Sequence, residues 1–394
     1  MRARPELRTD RPTLLLVGAG HAHLEVLRRL ARAPLRGVDV ALAAPSPLHL
    51  YSAMVPGYLR GAWALEALAA DVRPLCAAAG ARFVEATVES VDPVARRCET
   101  SAGPIDFTFL SLDVGSAPAG RDDVVGAREH AIALRPVSEA VALRARLEAL
   151  LAHRRAAPLA VWVVGAGAAG IEVALAVARR AHDARREATV TLVERAAHPL
   201  PEHDADARAA VGRVLARGGV AVRTETVARR VHADAIELAP AVEATAGAEH
   251  HVADLVVWLA GAAPPALVAG SALPRDRDGW LRVDATLRAP CSASVWGAGD
   301  CVAIDGGAPL PKAGVVAVRM GPVLAGNLRA AITGARPMAY VAQPAFLALL
   351  DTADGRALRL GRGPAAWGRR WWWLKRAIDA RYVRAMQPRR AAEP

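Results

Sequence analysis

The feature that most constrains this chain is a local plan written twice. The segments "TLLLVGAGHAHLEVLRRL" and "LAVWVVGAGAAGIEVALAVARR" each run from a short apolar strand through a glycine turn into a helix. A buried strand, a tight turn and a helix open a βαβ unit with a parallel sheet at its centre. In the second copy Gly165, Gly167 and Gly170 complete G-x-G-x-x-G. The first glycine permits the turn, the second lets the backbone approach a pyrophosphate, and the third lets helix and strand close together. N–H groups at the helix start then face the phosphates. Glu194 stands where the next strand, 189–193, ends. Its carboxylate suits a ribose diol and repels a 2′-phosphate, which favours NADH over NADPH. Arg195 beside it can accommodate that phosphate, and a plain surface position for Glu194 is the other reading.

The first copy departs from the pattern. Gly18 and Gly20 fit, but His23 holds the third glycine position. The following strand, 38–43, runs into Ala44 and Pro45, so no acid stands at its end. His21 or His23 either points at a phosphate or packs on the helix face.

The remaining pattern places a helix over 21–32, another over 65–79 and a strand over 81–85. Short alternating runs over 86–110, broken by Asp92-Pro93 and Gly103-Pro104, predict inserted antiparallel strands. The second unit follows with strands at 159–164 and 189–193, a helix over 203–217, and strands near 220–223, 227–238 and 254–261. The first unit lacks a full set of strands before the second begins. "ASVWGAGD", 293–300, is the segment that supplies it, which makes the second domain an insertion in the first. A helix over 314–332 and a separate piece from 336 complete the chain. The fold class is α/β, with two interleaved Rossmann-like dinucleotide-binding domains and a small C-terminal region.

Composition narrows the partners. A formal net charge of +11, with Lys312 and Lys375 the only lysines, suits anionic cofactors or anionic lipid. The basic residues accompany no nucleic-acid recognition fold, so nucleic acid is not expected. Cys76, Cys98, Cys291 and Cys301 stand alone, with no C-x-x-C, so neither a redox dithiol nor a local zinc site is expected, and no metal. No apolar segment of spanning length is free of charge, and the N-terminus lacks a signal-peptide pattern. The expected location is cytoplasmic, or peripheral on the cytoplasmic face of a membrane.

In order, "VGAGHAH", "VVGAGAAGIEVA", "DLVVWLAGAAPP", "VWGAGDCVAI" and "LPKAGVVAVRMGPVLAGNL" resemble the two-dinucleotide-domain flavoproteins over about residues 12–335. That family holds type II NADH dehydrogenases, sulfide:quinone reductases and disulfide reductases. "HLYSAMVPGYLRG" and "WWWLKRAIDARYVRAM" further resemble the NADH dehydrogenase-like flavoproteins sometimes fused to selenide, water dikinase; no such kinase domain is read in these 394 residues. The resemblance implies FAD in a domain of 1–125 and 264–335, NAD(P)H in one of 126–263, and a C-terminal region over 336–394.

It also implies roles. Gly18 and Gly20 match the FAD pyrophosphate loop, and Asp300 matches an aspartate at the ribityl-phosphate region, with Gly299 allowing close approach. Gly115 and Ser116 lie in a crossover segment near FAD; Gly261 lies in the return segment near nicotinamide. Glu172 matches a glutamate near the nicotinamide. Lys312, Ala313 and the helix they precede direct positive field toward the flavin. His21 and His23 are expected at the cofactor, His23 close to its pyrophosphate. His49, Tyr51, Ser52 and Pro56 either line the FAD or acceptor pocket or form an irregular structural loop. Cys301 is expected to pack in the core. The tail, with Trp367, Trp371, Trp372 and Trp373 among arginines, either meets a membrane or quinone or packs on the FAD domain or a dimer partner.

The function expected is that of an FAD-dependent dehydrogenase passing hydride from NADH to flavin and electrons to a quinone-like acceptor. Two alternatives stay open: an FAD enzyme acting on a sulfur or selenium compound, and a flavin-binding regulatory protein without turnover.

Overall fold

The computed structural model describes residues 11–153, 157–242, 247–290, 292–343, 345–361 and 363–386; Cys291 lies outside the described residues. Two five-stranded parallel sheets organise the chain. In the first, Thr13–Val17 is central, between Phe109–Leu112 and Asp39–Ala44, with Val295–Gly297 and Ala81–Glu85 at the edges. Leu14, Leu15 and Leu16 are fully buried, as a strand covered on both faces requires. The second sheet repeats the order with Leu159–Val164 central, between Leu255–Trp258 and Ala188–Val193, and Ala131–Ala133 and Val220–Arg223 outside. The late segment near 293–300 thus does return to the first sheet. The chain leaves that sheet and comes back through Ala117–Pro118 and Ala262–Ala263, which pair antiparallel with each other.

Helix His21–Arg32 follows the central strand of the first sheet, and Ala168–Asp183 the central strand of the second. The expected insert near 86–110 is the antiparallel sheet Val88–Asp92, Arg97–Thr100 and Ile105–Asp106. Residues 65–79 do not form one helix. Leu65–Ala67 is a single turn, Ala69–Asp71 pairs with Leu48–Leu50, and only Arg73–Ala78 is helical. Two local features force the break: Asp71 Oδ1 accepts the Arg73 N–H at 2.9 Å, and Pro74 lacks the N–H that a helix interior needs.

Helix Gly314–Thr333 is long and apolar enough to cross a membrane by length and composition, yet Met320, Leu324 and Leu328 are buried in the core around the first sheet. It crosses His21–Arg32 closely: a β-carbon at Gly321 would stand 3.2 Å from the Ala22 carbonyl oxygen. Past it, the sheet Ala348–Asp351, Ala357–Leu360 and Ala366–Gly368 leads into helix Arg369–Met386. Leu350, Leu358 and Leu360 join the core of the second sheet, while Met386 joins that of the first, so the C-terminal piece spans both.

Candidate cofactor and acceptor site

The first glycine loop is built against the end of a neighbouring strand. Gly18 has φ +90°, and a β-carbon there would stand 2.4 Å from the Asp113 carbonyl oxygen. Helix His21–Arg32 begins next, with Gly20 as its N-cap. His23 does not face that loop's open side. It is fully buried, with Nδ1 2.6 Å from the Gly18 carbonyl oxygen and Nε2 2.9 Å from Ser111 Oγ. A carbonyl only accepts, so Nδ1 carries the proton and Nε2 accepts from the Ser111 hydroxyl. Burial lowers the imidazole to about 4, against the Gly18 bond that raises it, so the ring is neutral. His23 therefore meets the first glycine loop through the Gly18 carbonyl, and both its ring nitrogens are used inside the protein.

Asp113, which sequence reading missed, ends the Phe109–Leu112 strand and is buried. Its Oδ2 accepts the N–H groups of Ala22 at 2.7 Å and His23 at 3.0 Å. Burial pushes the carboxyl up to about 7 despite those two donors. Its Oδ1 lies between the two loops matched to FAD. A β-carbon at Gly20 would stand 2.3 Å from it, and one at Gly299 2.4 Å.

Asp300 sits in the turn Gly299–Cys301, one step beyond the Val295–Gly297 strand. Its Oδ2 receives Arg135 Nη1 at 3.0 Å and the Ser116 hydroxyl at 3.4 Å, and Arg135 also donates to Ser116. Ser116 and Asp300 thus meet; Arg135 was not foreseen. Gly115 has open space where a β-carbon would be. Cys301 is buried against the Ala298 and Leu112 carbonyls and its thiol is pushed up to about 12, chiefly by burial, which suits packing. Cys76, Cys98 and Cys301 are all free and buried, so no dithiol exists among the described residues.

At the second loop Gly165 has φ +105° and stands against the Leu259 carbonyl; a β-carbon on Gly170 would strike the Gly165 oxygen. Gly167 faces open space. Glu194 holds the loop: Oε2 accepts Ala166 N–H at 2.8 Å and Oε1 accepts Ala196 N–H at 2.9 Å. A β-carbon at Gly261 would stand 3.6 Å from Ala119 Cβ, where the two crossing segments meet.

Glu172 points out of the second unit toward the C-terminal piece. Its Oε1 accepts the Asp351 N–H at 2.7 Å, and burial pushes its carboxyl up to about 7 although Lys375 opposes the shift. Lys375 donates to the Ala53 carbonyl at 2.6 Å and to Asp379 Oδ2 at 3.0 Å. Burial alone would lower this lysine, but Glu172 and Asp379 raise it overall. Tyr51 donates to Asp379 and stacks on Tyr382 at 4.2 Å between centroids. His21 lies 5.0 Å from His49 and 5.3 Å from Tyr382, again between ring centroids. Helix Arg369–Met386 therefore supplies three polar side chains to this site, and Lys375, Asp379 and Tyr382 were not singled out from sequence.

Lys312 is committed elsewhere. Its ammonium donates to the Val302 carbonyl at 2.6 Å and lies 3.7 Å from the Trp280 ring centroid, and burial lowers it. The helix start at Ala313–Gly314 is what faces His21: a β-carbon on Gly314 would stand 3.4 Å from His21 Nε2.

The residues fit a dinucleotide with an aromatic headgroup. Gly167 leaves open space beside the backbone of the second loop, the first loop closes on Asp113 at Gly18 and Gly20, and His21 Nε2, His49 Nε2 and the Tyr382 hydroxyl are buried without a partner. His49 Nδ1 is 2.9 Å from the Ala19 carbonyl oxygen, so its Nε2 is a lone-pair acceptor. Elsewhere, on the sheet Thr226–Val231, Ala235–Pro240 and Glu249–Val252, His232, Glu237 and His250 bring possible metal-ligand atoms within 4.8 Å of one another, a grouping the sequence reading did not raise.

The family model described as pyridine nucleotide-disulphide oxidoreductase matches residues 12–321. A type II NADH:quinone oxidoreductase of Staphylococcus epidermidis is 26% identical over 400 residues, covering 95% of this chain and 96% of its own. A Mycobacterium tuberculosis NADH dehydrogenase-like protein is 28% identical over 303 residues, 74% of this chain and 72% of its own. In fold, the chain resembles NDH2 of Plasmodium falciparum solved with NADH, at TM-score 0.81 and 13% identity, over 95% of this chain and 96% of that one. It also resembles the Aquifex aeolicus sulfide:quinone oxidoreductase, at TM-score 0.78 and 15% identity, over 95% and 91%.

Proposed function

We propose that this chain, which belongs to the pyridine nucleotide-disulphide oxidoreductase family, is an NADH dehydrogenase that reduces a quinone-like acceptor. Membership carries FAD- and NAD(P)H-dependent oxidoreductase activity; the donor, the acceptor and the residue roles are the proposal. In it, residues 1–125 and 264–335 hold FAD, residues 126–263 hold NADH, and residues 336–394 close the acceptor side. Bound there, FAD would supply the chemistry of accepting a hydride and handing on two electrons.

The observation that carries the reading is the position of Glu172. It starts one turn inside the helix that the second glycine loop opens, and it is polar-linked to Lys375, Asp379 and Tyr51 beside the first loop's aromatic cluster. A carboxyl held near neutrality can release a proton at working pH and recover it. Lys375 and Asp379 orient and restore that charge. A quinone-like acceptor gains two protons with its two electrons, so a buried protonatable chain belongs beside it. With no dithiol among the described residues, direct transfer from nicotinamide is the simple route.

Gly165, Gly167 and Gly170 cradle the NADH pyrophosphate in this reading, and Glu194 sets the preference for NADH. Gly18, Gly20, Gly299 and Asp300 hold FAD, with Ser116 and Arg135 fixing Asp300, and His21, Tyr51 and the Ala313–Gly314 helix start lining the headgroup. Anaerobic mixing with NADH tests it: the yellow absorbance bleaches within seconds and returns on adding quinone. Oxidised flavin persisting with both NADH and NADPH overturns it.

A further inference from the structure

We propose that Asp113 couples FAD binding to the uptake of one proton, being protonated in the FAD-bound protein and ionised in the cofactor-free protein above neutral pH. The inference rests on FAD occupying the first glycine cradle. A helix start normally offers its first N–H groups to a phosphate. Here the N–H groups of Ala22 and His23 are already taken by Asp113 Oδ2, at 2.7 and 3.0 Å. Asp113 Oδ1 makes no hydrogen bond among the described residues. It stands 2.3 and 2.4 Å from the β-carbon positions of Gly20 and Gly299, the two loops between which the pyrophosphate has to lie.

An ionised carboxylate there would face a fully ionised pyrophosphate. The positive groups on the Gly299–Cys301 side are committed: Arg135 pairs with Asp300 Oδ2 at 3.0 Å, and Lys312 donates to the Val302 carbonyl at 2.6 Å. On its own helix side, His23 is a neutral imidazole. From the Gly299–Cys301 turn come Asp300, which adds negative charge, and Cys301, held as a thiol. From the C-terminal helix comes Tyr382, held as a phenol. A protonated Asp113 removes the clash and turns Oδ1 from an acceptor into a donor for a phosphate oxygen. Burial first, with Asp300 adding and the Ala22 and His23 bonds opposing, already holds the carboxyl at about 7, and a neighbouring phosphate pushes it further up. The proton comes from solvent.

The linkage has a definite sign. Below the carboxyl's cofactor-free value both states hold the proton and affinity is flat. Above it, affinity falls about tenfold per pH unit, so FAD binds about a hundredfold more weakly at pH 9 than at pH 6. His21 and His49, lowered by burial to about 4 and about 3, titrate below this window.

The test measures FAD dissociation from the purified flavoprotein by FAD fluorescence on dilution across pH 6–9. Calorimetric FAD rebinding at pH 8, in two buffers of different ionisation enthalpy, counts protons. The expected result is the rising Kd and close to one proton taken up. Asp113→Asn keeps a carbonyl for the Ala22 and His23 donors and is neutral at every pH, so its Kd is flat and its uptake near zero. A wild-type Kd that does not change with pH, zero proton uptake, or a variant with the wild-type slope overturns the inference. If Asp113→Asn does not fold, the wild-type proton count alone decides. A protein that holds no FAD at any pH sinks the FAD reading instead, an outcome distinct from tight, pH-independent FAD.

Discussion

Ser111 Oγ donates to His23 Nε2 at 2.9 Å, tying the strand Phe109–Leu112 to the helix that opens at the first glycine loop. The same ring donates from Nδ1 to the Gly18 carbonyl, so His23 staples loop, helix and strand from beneath. His23→Gly, which restores the common glycine, leaves a buried hydroxyl and a carbonyl without partners. Each costs about 1–3 kcal/mol. The variant is expected to lower the urea midpoint clearly, and Ser111→Ala on top of it to add little, because the two residues act as one unit. Additive losses in that cycle would count against the staple.

His49 sets a pH dependence. Burial, then the neighbouring His21, lower it to about 3, while an unfolded histidine titrates near 6.5. Between those values the unfolded chain binds the extra proton, so His49 makes stability fall as pH drops from about 6.5 toward 3, by about 1.4 kcal/mol per pH unit. His49→Asn keeps a donor for the Ala19 carbonyl and removes the titration. Urea unfolding at pH 4.5, 5.5 and 6.5 should show an acid limb shallower by one proton in the variant. Parallel limbs would mean His49 is not held neutral.

Strands and helices were readable where local pattern agreed with burial. The runs around Leu15 and Val161 are apolar because both faces of those strands are covered, and the distant strand at Val295–Gly297 was readable from a deficit in the first unit. Residues 65–79 misled because their alanine-rich composition hides a turn that Asp71 and Pro74 impose. The site was legible where glycines require close approach. It was not legible where a side chain's destination lies far along the chain: His23 and Ser111 are 88 residues apart, and Lys375 reaches Ala53. Asp113 left a weak signal, an acid set at the end of the apolar run "FLSL", and Lys375 another, as one of only two lysines.

Glu194 bonds the loop amide of Ala166 at the second glycine motif, and in the proposed NADH site its charge would repel a 2′-phosphate. Glu194→Gln keeps an acceptor for that amide and removes the repulsion. The ratio of bleaching rates with NADPH and NADH should rise about tenfold, equal to about 1.4 kcal/mol. An unchanged ratio would move nucleotide choice to another residue, with Arg195 the first to vary.

Glu172 is expected to separate the two half-reactions. Glu172→Gln keeps the acceptor for the Asp351 amide but cannot carry a proton. Bleaching by NADH should stay within a few-fold of wild type, whereas steady quinone reduction falls about 10²–10⁴-fold, the range for losing a general acid. The wild-type rate should also bend near pH 7, where burial has pushed this carboxyl, and the variant should lose the bend. Equal losses in both half-reactions would make Glu172 a positioning residue for the nicotinamide alone.

The C-terminal helix presents opposite chemistry on its two sides. Lys375 and Asp379 face the protein, while Trp373, Leu374 and Ile378 are 60%, 38% and 42% exposed. Arg369, Arg370 and Arg381 are exposed on the same helix, and Arg376 lies 5.3 Å from the Trp373 ring centroid. An exposed apolar stripe flanked by arginines suits the headgroup layer of an anionic bilayer, which would bring a lipid-soluble acceptor to the Tyr51–Tyr382 end of the site. Replacing Trp373, Leu374 and Ile378 together by Ser leaves Lys375, Asp379 and Tyr382 in place, so NADH bleaching should be unchanged. Sedimentation with vesicles rich in phosphatidylglycerol should fall at least about tenfold, given about 1.5–3 kcal/mol for each fully buried apolar side chain. Reduction of a long-tailed quinone in those vesicles should fall with it, while reduction of a water-soluble short-chain quinone is preserved. Vesicle binding equal to wild type would assign this face to packing against protein.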